Sequence, residues 1–101
     1  MENLEKELKE MLEIFDYFKL SKEIQKEIIE KGVYFYFNED DSQLRLSCLR
    51  FANLLKMVKN IDPNYDVEDM LKSGSGDKYY HLIKLFLERE KEEKPKQRIK
   101  Q

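Results

Sequence analysis

Cys48 and His81 are the two residues that could form a cysteine–histidine nucleophile and base pair, because the sequence holds one cysteine and one histidine. Such catalysis needs the base within hydrogen-bond reach of the nucleophile. Cys48 falls within or beside an apolar stripe at helical spacing, where a free cysteine packs as a small hydrophobe. His81 falls on the polar side of a predicted helix, roughly opposite Tyr79 and Phe86. The sequence therefore predicts a packed cysteine, a solvated histidine, no catalytic residue and a protein that is not an enzyme.

Metal and cofactor sites are also not predicted. A structural zinc site needs four cysteine or histidine ligands. The acidic run 39–41 lacks the alternating acids, central glycine and terminal glutamate of a calcium loop. The loop 73–76 precedes a predicted helix, as phosphate-binding loops do, but no predicted strand precedes it and the Lys-Ser/Thr ending is absent. We therefore expect no metal, no cofactor and no evident small-molecule substrate.

A basic surface is the strongest binding signal in the sequence. If residues 43–61 form one helix, Arg45, Lys56 and Lys59 lie within about 60° of one another around its axis, with Leu49 and Ala52 between them. We call these five residues the basic ridge. The ridge could pair with the acidic helix 1–19 of its own chain, accept an acidic partner, or follow phosphates. The intramolecular use is favoured, and the candidate partner contacts are Arg45, Leu49, Lys56 and Lys59.

The run 33–37, Val-Tyr-Phe-Tyr-Phe, is the one strand-like segment in the sequence. Such a strand needs a partner edge. It could pair with a second strand of the same chain, pack as an extended plug between helices, or add to a strand of another chain. The first two interpretations are favoured, and Tyr34 and Tyr36 are the candidates for strand pairing or an interface.

The elements that must position these residues are mostly helical. Residues 2–19 carry apolar side chains at spacings of three and four, which predicts a helix with its apolar face toward the core. The face consists of Leu4, Leu8, Met11, Phe15 and Phe18. An intermolecular coiled coil is the alternative, although the pattern covers too few heptads to favour it. Ser21 is a suitable N-cap for a second helix over 22–31, and Gly32 is suited to its end.

Residues 43–61 admit two interpretations. Residues 44–48 alternate apolar and polar side chains, so they could form a hairpin with 33–37. Against this, apolar residues continue at helical spacing from Leu44 to Ile61, and Ser42 could cap a helix starting at 43. The longer pattern favours one helix over 43–61.

The remaining chain predicts two further helices. A short helix over 66–72 has Asp66 as its cap, and Asp77 caps a last helix over 78–93 after the flexible loop 73–76. Residues 94–101 form a basic flexible tail. The predicted fold class is thus mainly α, with four to five helices and one short aromatic extended segment. Residues 1–93 make a single domain.

Composition narrows the possible classes of protein. The 101-residue chain has 3 glycines and 2 prolines, too few for the frequent turns of an all-β sandwich. It contains no apolar run long enough to cross a membrane. One cysteine cannot form an internal disulfide, which indicates a cytoplasmic protein. The net charge of −2 disfavours a dedicated nucleic-acid binder, although residues 44–61 carry four bases and no acid.

These observations predict a small non-enzymatic interaction or regulatory protein that binds another macromolecule. A protein is the favoured partner, and a second copy of the chain is one candidate. The alternative is a nucleic-acid-binding module that uses the basic ridge and the basic tail. The small size, the segregated charge and the lack of a catalytic or metal-binding pattern support the first prediction.

Overall fold

A computed structural model describes residues 2–73 and 76–93 of the chain. Within these residues the chain forms five α-helices, one 3-10 helix and a two-stranded antiparallel hairpin, so the predicted mainly α class is confirmed. The elements in chain order are α1 (Glu2–Tyr17), α2 (Lys22–Lys31), β1 (Val33–Phe37), β2 (Ser42–Leu46), α3 (Cys48–Ile61), α4 (Val67–Ser73), the 3-10 helix (Asp77–Tyr79) and α5 (Tyr80–Glu93). The predicted tail 94–101 and part of the predicted loop 73–76 lie outside the described residues.

Helix α3 is the centre of the fold, because it contacts α1, α2, α5 and β2. The centre of its apolar face is buried, and Phe51 and Leu55 have no exposed surface, whereas Ile61 at its end is 54% exposed. Phe15 of α1 packs against Phe51 with the ring centroids 6.3 Å apart. The helical spacing in α3 therefore buries a continuous row of large side chains between the two helices.

The connection from α1 to α2 is held by a buried glutamine. Helix α1 ends at Tyr17, two residues before the predicted end, and Lys19 turns the chain with a φ of 61°. Gln25 Nε2 donates to Asp16 Oδ1 at 2.8 Å and to the Leu20 carbonyl oxygen at 2.9 Å. The first of these hydrogen bonds lowers the pKa of Asp16. A buried amide is tolerated here because its donors are satisfied.

The caps predicted at Ser21 and Asp66 are confirmed. The cap predicted at Asp77 for a helix over 78–93 is wrong, because Asp77 is itself the first residue of the 3-10 helix and α5 begins at Tyr80. Ser21 Oγ accepts a hydrogen bond from the Ile24 amide at 3.2 Å, and Asp66 Oδ1 accepts one from the Asp69 amide at 3.0 Å. Gly32 follows α2 with a φ of 77°, where glycine avoids the strain of a side chain.

The predicted single helix over 43–61 is wrong for residues 43–47. Strand β2 occupies Ser42–Leu46 and pairs with β1, with Val33 opposite Leu46 and Phe37 opposite Ser42. The predicted cap at Ser42 is also wrong, since Ser47 Oγ accepts from the Arg50 amide at 3.3 Å and α3 begins at Cys48. The physical reason is that β1 needs backbone partners, and the hairpin supplies them without shortening the buried part of α3.

The hairpin has one buried face and one exposed face. Val33, Phe35 and Leu46 point into the core, while Tyr34 and Tyr36 point outward. The segment before α5 joins the outer edge of β1: the Gly76 amide donates to the Tyr36 carbonyl oxygen at 2.7 Å.

Helix α5 is fixed to α3 by a partly buried ion pair as well as by apolar contacts. Arg50 Nε donates to Glu90 Oε2 at 2.9 Å, and Arg50 Nη2 donates to Glu90 Oε1 at 2.6 Å. The carboxylate raises the pKa of Arg50. Ile83 and Phe86 are buried on the same helix. Among the helices in the described ranges, none combines the length and apolar character that crossing a membrane requires.

Candidate functional site

The basic ridge does not exist as one surface. Arg45 lies on β2, so the prediction that it shares a helix face with Lys56 and Lys59 is wrong. Lys56 Nζ lies 3.1 Å from Glu10 Oε1 of α1. Lys59 Nζ lies 4.3 Å from the centre of the Tyr17 ring, also on α1. The two lysines therefore contact the acidic helix of their own chain, as the favoured interpretation predicted.

The apolar part of the ridge lines a narrow groove between α1 and α3. The groove has a volume of 110 Å³ and is lined by Glu7, Glu10, Leu49, Ala52, Asn53 and Lys56. Ala52 is buried and Leu49 is half-buried. A groove of this size is well below the usual range of about 300–1,000 Å³ for ligand pockets. A partner contact at Leu49 or Lys56 stays a prediction.

The intramolecular use of the ridge can be tested by charge reversal. We expect Lys56→Glu/Lys59→Glu to lower the free energy of unfolding by about 1–2 kcal/mol, because it removes an exposed ion pair and a cation–π contact. Urea denaturation measures the loss. Lys26→Glu/Lys91→Glu is the control with the same charge change, since these exposed lysines form no ion pair within the described residues. Equal stabilities of the two variants would contradict the assignment.

The exposed side of the hairpin brings Arg45, predicted as a partner contact on a helix, together with Tyr34 and Tyr36, predicted for strand pairing or an interface. Tyr34 is 57% exposed and lies opposite Arg45 in the strand register. The Arg45 guanidinium carbon lies 6.0 Å from the centre of the Tyr34 ring, within cation–π range. Tyr36 is 40% exposed and lies opposite Gln43. We call Tyr34, Tyr36, Gln43 and Arg45 the hairpin outer face.

The end of α2 positions Arg45. Arg45 Nε donates to the Lys31 carbonyl oxygen at 3.2 Å, at the negative end of the helix dipole. Gly32 leaves room for this contact, since a Cβ atom there would lie 3.3 Å from both Arg45 Nε and Nη2. The guanidinium is therefore held by backbone and ring together, which reduces the rotamer entropy it would lose on binding.

The other end of the hairpin outer face is acidic. The Tyr36 hydroxyl donates a hydrogen bond to Asp41 Oδ1, and this bond raises the pKa of Tyr36. Asp41 stands in the turn with a φ of 53°, next to Glu39 and Asp40. The face thus runs from a cation at Arg45 to a group of carboxylates beyond Tyr36.

A cleft of 450 Å³ lies between this acidic turn and the start of α5. Its lining residues are Phe37, Glu39, Asp40, Asp77, Tyr80 and His81. His81 is exposed, as predicted, and its ring lies edge-on to Tyr80 at 6.0 Å between centroids. Among the described residues, no group of three or more histidine, cysteine or acidic side chains could hold a metal ion. Cys48 is half-buried against the core, which confirms its predicted packing role.

A second polar cluster connects α4 to the 3-10 helix. The Tyr79 hydroxyl donates to Asp69 Oδ2 at 2.6 Å, and Lys78 Nζ lies 3.1 Å from the same oxygen. The hydrogen bond from Tyr79 and the nearby Lys78 lower the pKa of Asp69. Burial raises the pKa of neighbouring Tyr65 to about 12. No spacing signal connects these residues in the sequence, and their contacts fix the local structure.

The N-terminal part of α1 departs from the sequence prediction. Leu4 and Leu8 were expected to face the core, but they are 49% and 40% exposed, and Leu12 is 41% exposed. The buried face of α1 is instead centred on Met11 and Phe15. At 100° per residue, Leu4 and Leu8 lie within about 60° of Met11 and Phe15, so the spacing predicted their direction correctly. Burial on α1 begins only at Met11, and the turns before it project beyond the core. Periodicity does not show how far along α1 the core extends, since buried Met11 and Phe15 have the same spacing as the exposed leucines.

No protein-family model matches the chain, and no curated protein or solved structure shows significant similarity to it. The described residues define a small mainly α domain that presents a two-stranded hairpin with an exposed Tyr-Arg face. The chemistry of its surfaces is therefore the basis for a functional proposal.

Proposed function

We propose that this is a small non-enzymatic interaction or regulatory protein that binds another protein through the hairpin outer face. The observation that carries the proposal is the pairing of exposed Tyr34 with Arg45 on that face. Tyrosine and arginine are enriched among the residues that contribute most binding energy at protein interfaces. The two strands and the end of α2 already hold both side chains, so binding should cost little side-chain conformational entropy.

The charge of the face indicates the kind of partner. Arg45 lies at one end and the carboxylates of the turn lie beyond Tyr36 at the other. A complementary protein surface would offer an acidic group to Arg45 and a basic group to the turn, around an apolar centre that packs on the tyrosine rings. The proposal includes a cytoplasmic location, which the unpaired cysteine supports.

Nucleic-acid binding is the second candidate, because single-stranded nucleic acids stack on exposed aromatic rings next to arginine. Two observations favour a protein partner instead. Lys56 and Lys59 contact α1 of their own chain, and the carboxylates beside Tyr36 would repel phosphates. The basic tail that this candidate also needs lies outside the described residues.

Co-purification with a substituted hairpin tests the proposal. Tyr34→Thr/Tyr36→Thr keeps residues with β propensity and removes both rings. We expect this variant to lose at least about tenfold in affinity for its partner, the effect typical of a binding hot spot. The tagged full-length chain is isolated from cells of its native source after nuclease treatment. Ile61→Gln is the control, since Ile61 is similarly exposed and lies at the end of α3 away from the hairpin.

The outcomes separate the candidates. A protein that withstands nuclease, stays bound to the control and is lost from the hairpin variant supports the proposal. Loss of all bound material on nuclease treatment, with affinity falling steeply as salt rises, would favour nucleic acid. Equal recovery of every partner by wild type and hairpin variant would refute the role of this face.

A further inference from the structure

A row of three leucines lies exposed along one side of α1. Leu4, Leu8 and Leu12 are each between 40% and 49% exposed. Single apolar residues are normal on protein surfaces. A contiguous row with polar residues at its border is typical of an interaction site. The row occupies a different element from the hairpin outer face, so it needs an explanation of its own.

The border of the row carries charges of opposite sign. On a helix of 3.6 residues per turn, Glu5 and Lys9 follow the leucines on the side away from the buried face. Both residues are exposed, and neither forms an ion pair with any other described residue. The row therefore has one edge against the core and one edge with an unpaired acid and an unpaired base.

We propose that this row packs in antiparallel orientation against the same row of a second copy of the chain. Pairing about a two-fold axis at Leu8 sets Leu8 against its own counterpart and Leu4 against Leu12 of the other copy. A symmetric dimer of this kind uses one self-complementary patch twice. Leu4 and Leu12 lie four residues before and four residues after Leu8, so the row is symmetric about Leu8.

The charges at the border fit the antiparallel orientation. In such a helix pair, the same border of each helix lies side by side. Lys9 of one copy then lies about 3 Å along the axis from both Glu5 and Lys9 of the other, and the symmetry gives two Glu5–Lys9 contacts against one Lys9–Lys9 contact. Side chains of this length reach across such an offset. The exposed row is short, so the interface is small and we expect a weak dimer that forms at micromolar concentration.

Sedimentation equilibrium of the full chain tests the dimer. We expect the wild type to shift from 12.3 kDa toward twice that mass as its concentration rises through the micromolar range. Leu8→Glu should raise the dissociation constant at least about tenfold, because it places a charge at the centre of the apolar contact. Its melting temperature should stay close to that of the wild type, since Leu8 is partly exposed in the monomer. A wild type that stays at 12.3 kDa throughout would overturn the proposal.

Charge reversal tests the orientation. Glu5→Lys and Lys9→Glu should each weaken the homodimer, because each sets like charges together. An equimolar mixture of these two variants should regain association as a heterodimer, since one chain is basic and the other acidic at both positions. Lys6→Glu, on the opposite side of α1, is the control and should dimerise like the wild type. A mixture that fails to regain association would overturn the antiparallel arrangement.

Tyr34→Thr/Tyr36→Thr should leave the dimer intact, which separates this inference from the proposed function.

Discussion

Replacement of Phe51 by alanine is expected to lower the free energy of unfolding by about 3–5 kcal/mol, the usual cost of truncating a buried aromatic side chain. Phe51 has no exposed surface and packs against Phe15 across the α1–α3 contact. A domain of this size has a total stability of only about 5–15 kcal/mol. The substitution is therefore expected to bring the protein close to unfolding at 37 °C.

Denaturation in urea, followed by circular dichroism, measures this effect. Phe51→Leu is the matched variant, because it keeps an apolar side chain at the site and should cost clearly less than the alanine. A loss below about 1.5 kcal/mol for the alanine variant would fall well short of the cavity cost and would mean that α1 and α3 do not pack through this ring.

Gly32→Ala is expected to destabilise the hairpin by several kcal/mol. Gly32 has φ 77° and ψ −166°, a conformation that is almost restricted to glycine and costs other residues about 1–3 kcal/mol. The added Cβ atom would also lie 2.5 Å from the Leu46 carbonyl oxygen. This oxygen belongs to the backbone of β2, so relieving the clash would require the strand to shift. The strain and the clash act together at the point where α2 joins β1.

The same substitution should reduce partner binding, because Arg45 lies directly against Gly32. Gly76→Ala is the comparison. Gly76 has an ordinary φ of −76°, and its added Cβ would lie 2.6 Å from the Phe37 ring, so Gly76→Ala shows the effect of a clash with a side chain without strain in the backbone. Hydrogen exchange of the β1 and β2 amides reports the local effect. If Gly32→Ala left these amides as protected as in the wild type, the strain at this position would be disproved.

The second strand shows where local pattern alone could not decide the fold. Leu44 fits both the helical spacing that runs to Ile61 and the alternation of a strand, so the two patterns compete over residues 43–47. Pairing with β1 resolves the competition, and that contact is tertiary. The caps at Ser21 and Asp66 were predictable because each depends on a hydrogen bond to a backbone amide three residues away.

The sequence was enough to name the residues of the candidate site, but it did not show which of them lie together. The strand-like run 33–37 was enough to suggest Tyr34 and Tyr36 as residues for strand pairing or an interface. Arg45 lies beside them only because β2 pairs with β1 and sets Arg45 opposite Tyr34. The longer helical pattern had favoured a helix at this position. Lys56 meets Glu10 across 46 residues of chain, and helical periodicity does not tell whether a lysine faces solvent or a neighbouring helix.

The most direct test of the proposed function is photo-crosslinking from the hairpin itself. Tyr34 is replaced by p-benzoylphenylalanine, which keeps an aromatic ring at this exposed position, and the same replacement of Ile61, at the far end of α3, serves as the control. We expect irradiation in cells of the native source to give a nuclease-resistant protein adduct from position 34 and none from position 61. An adduct with nucleic acid at position 34, or no adduct there at any expression level, would contradict the conclusion that this face binds a protein.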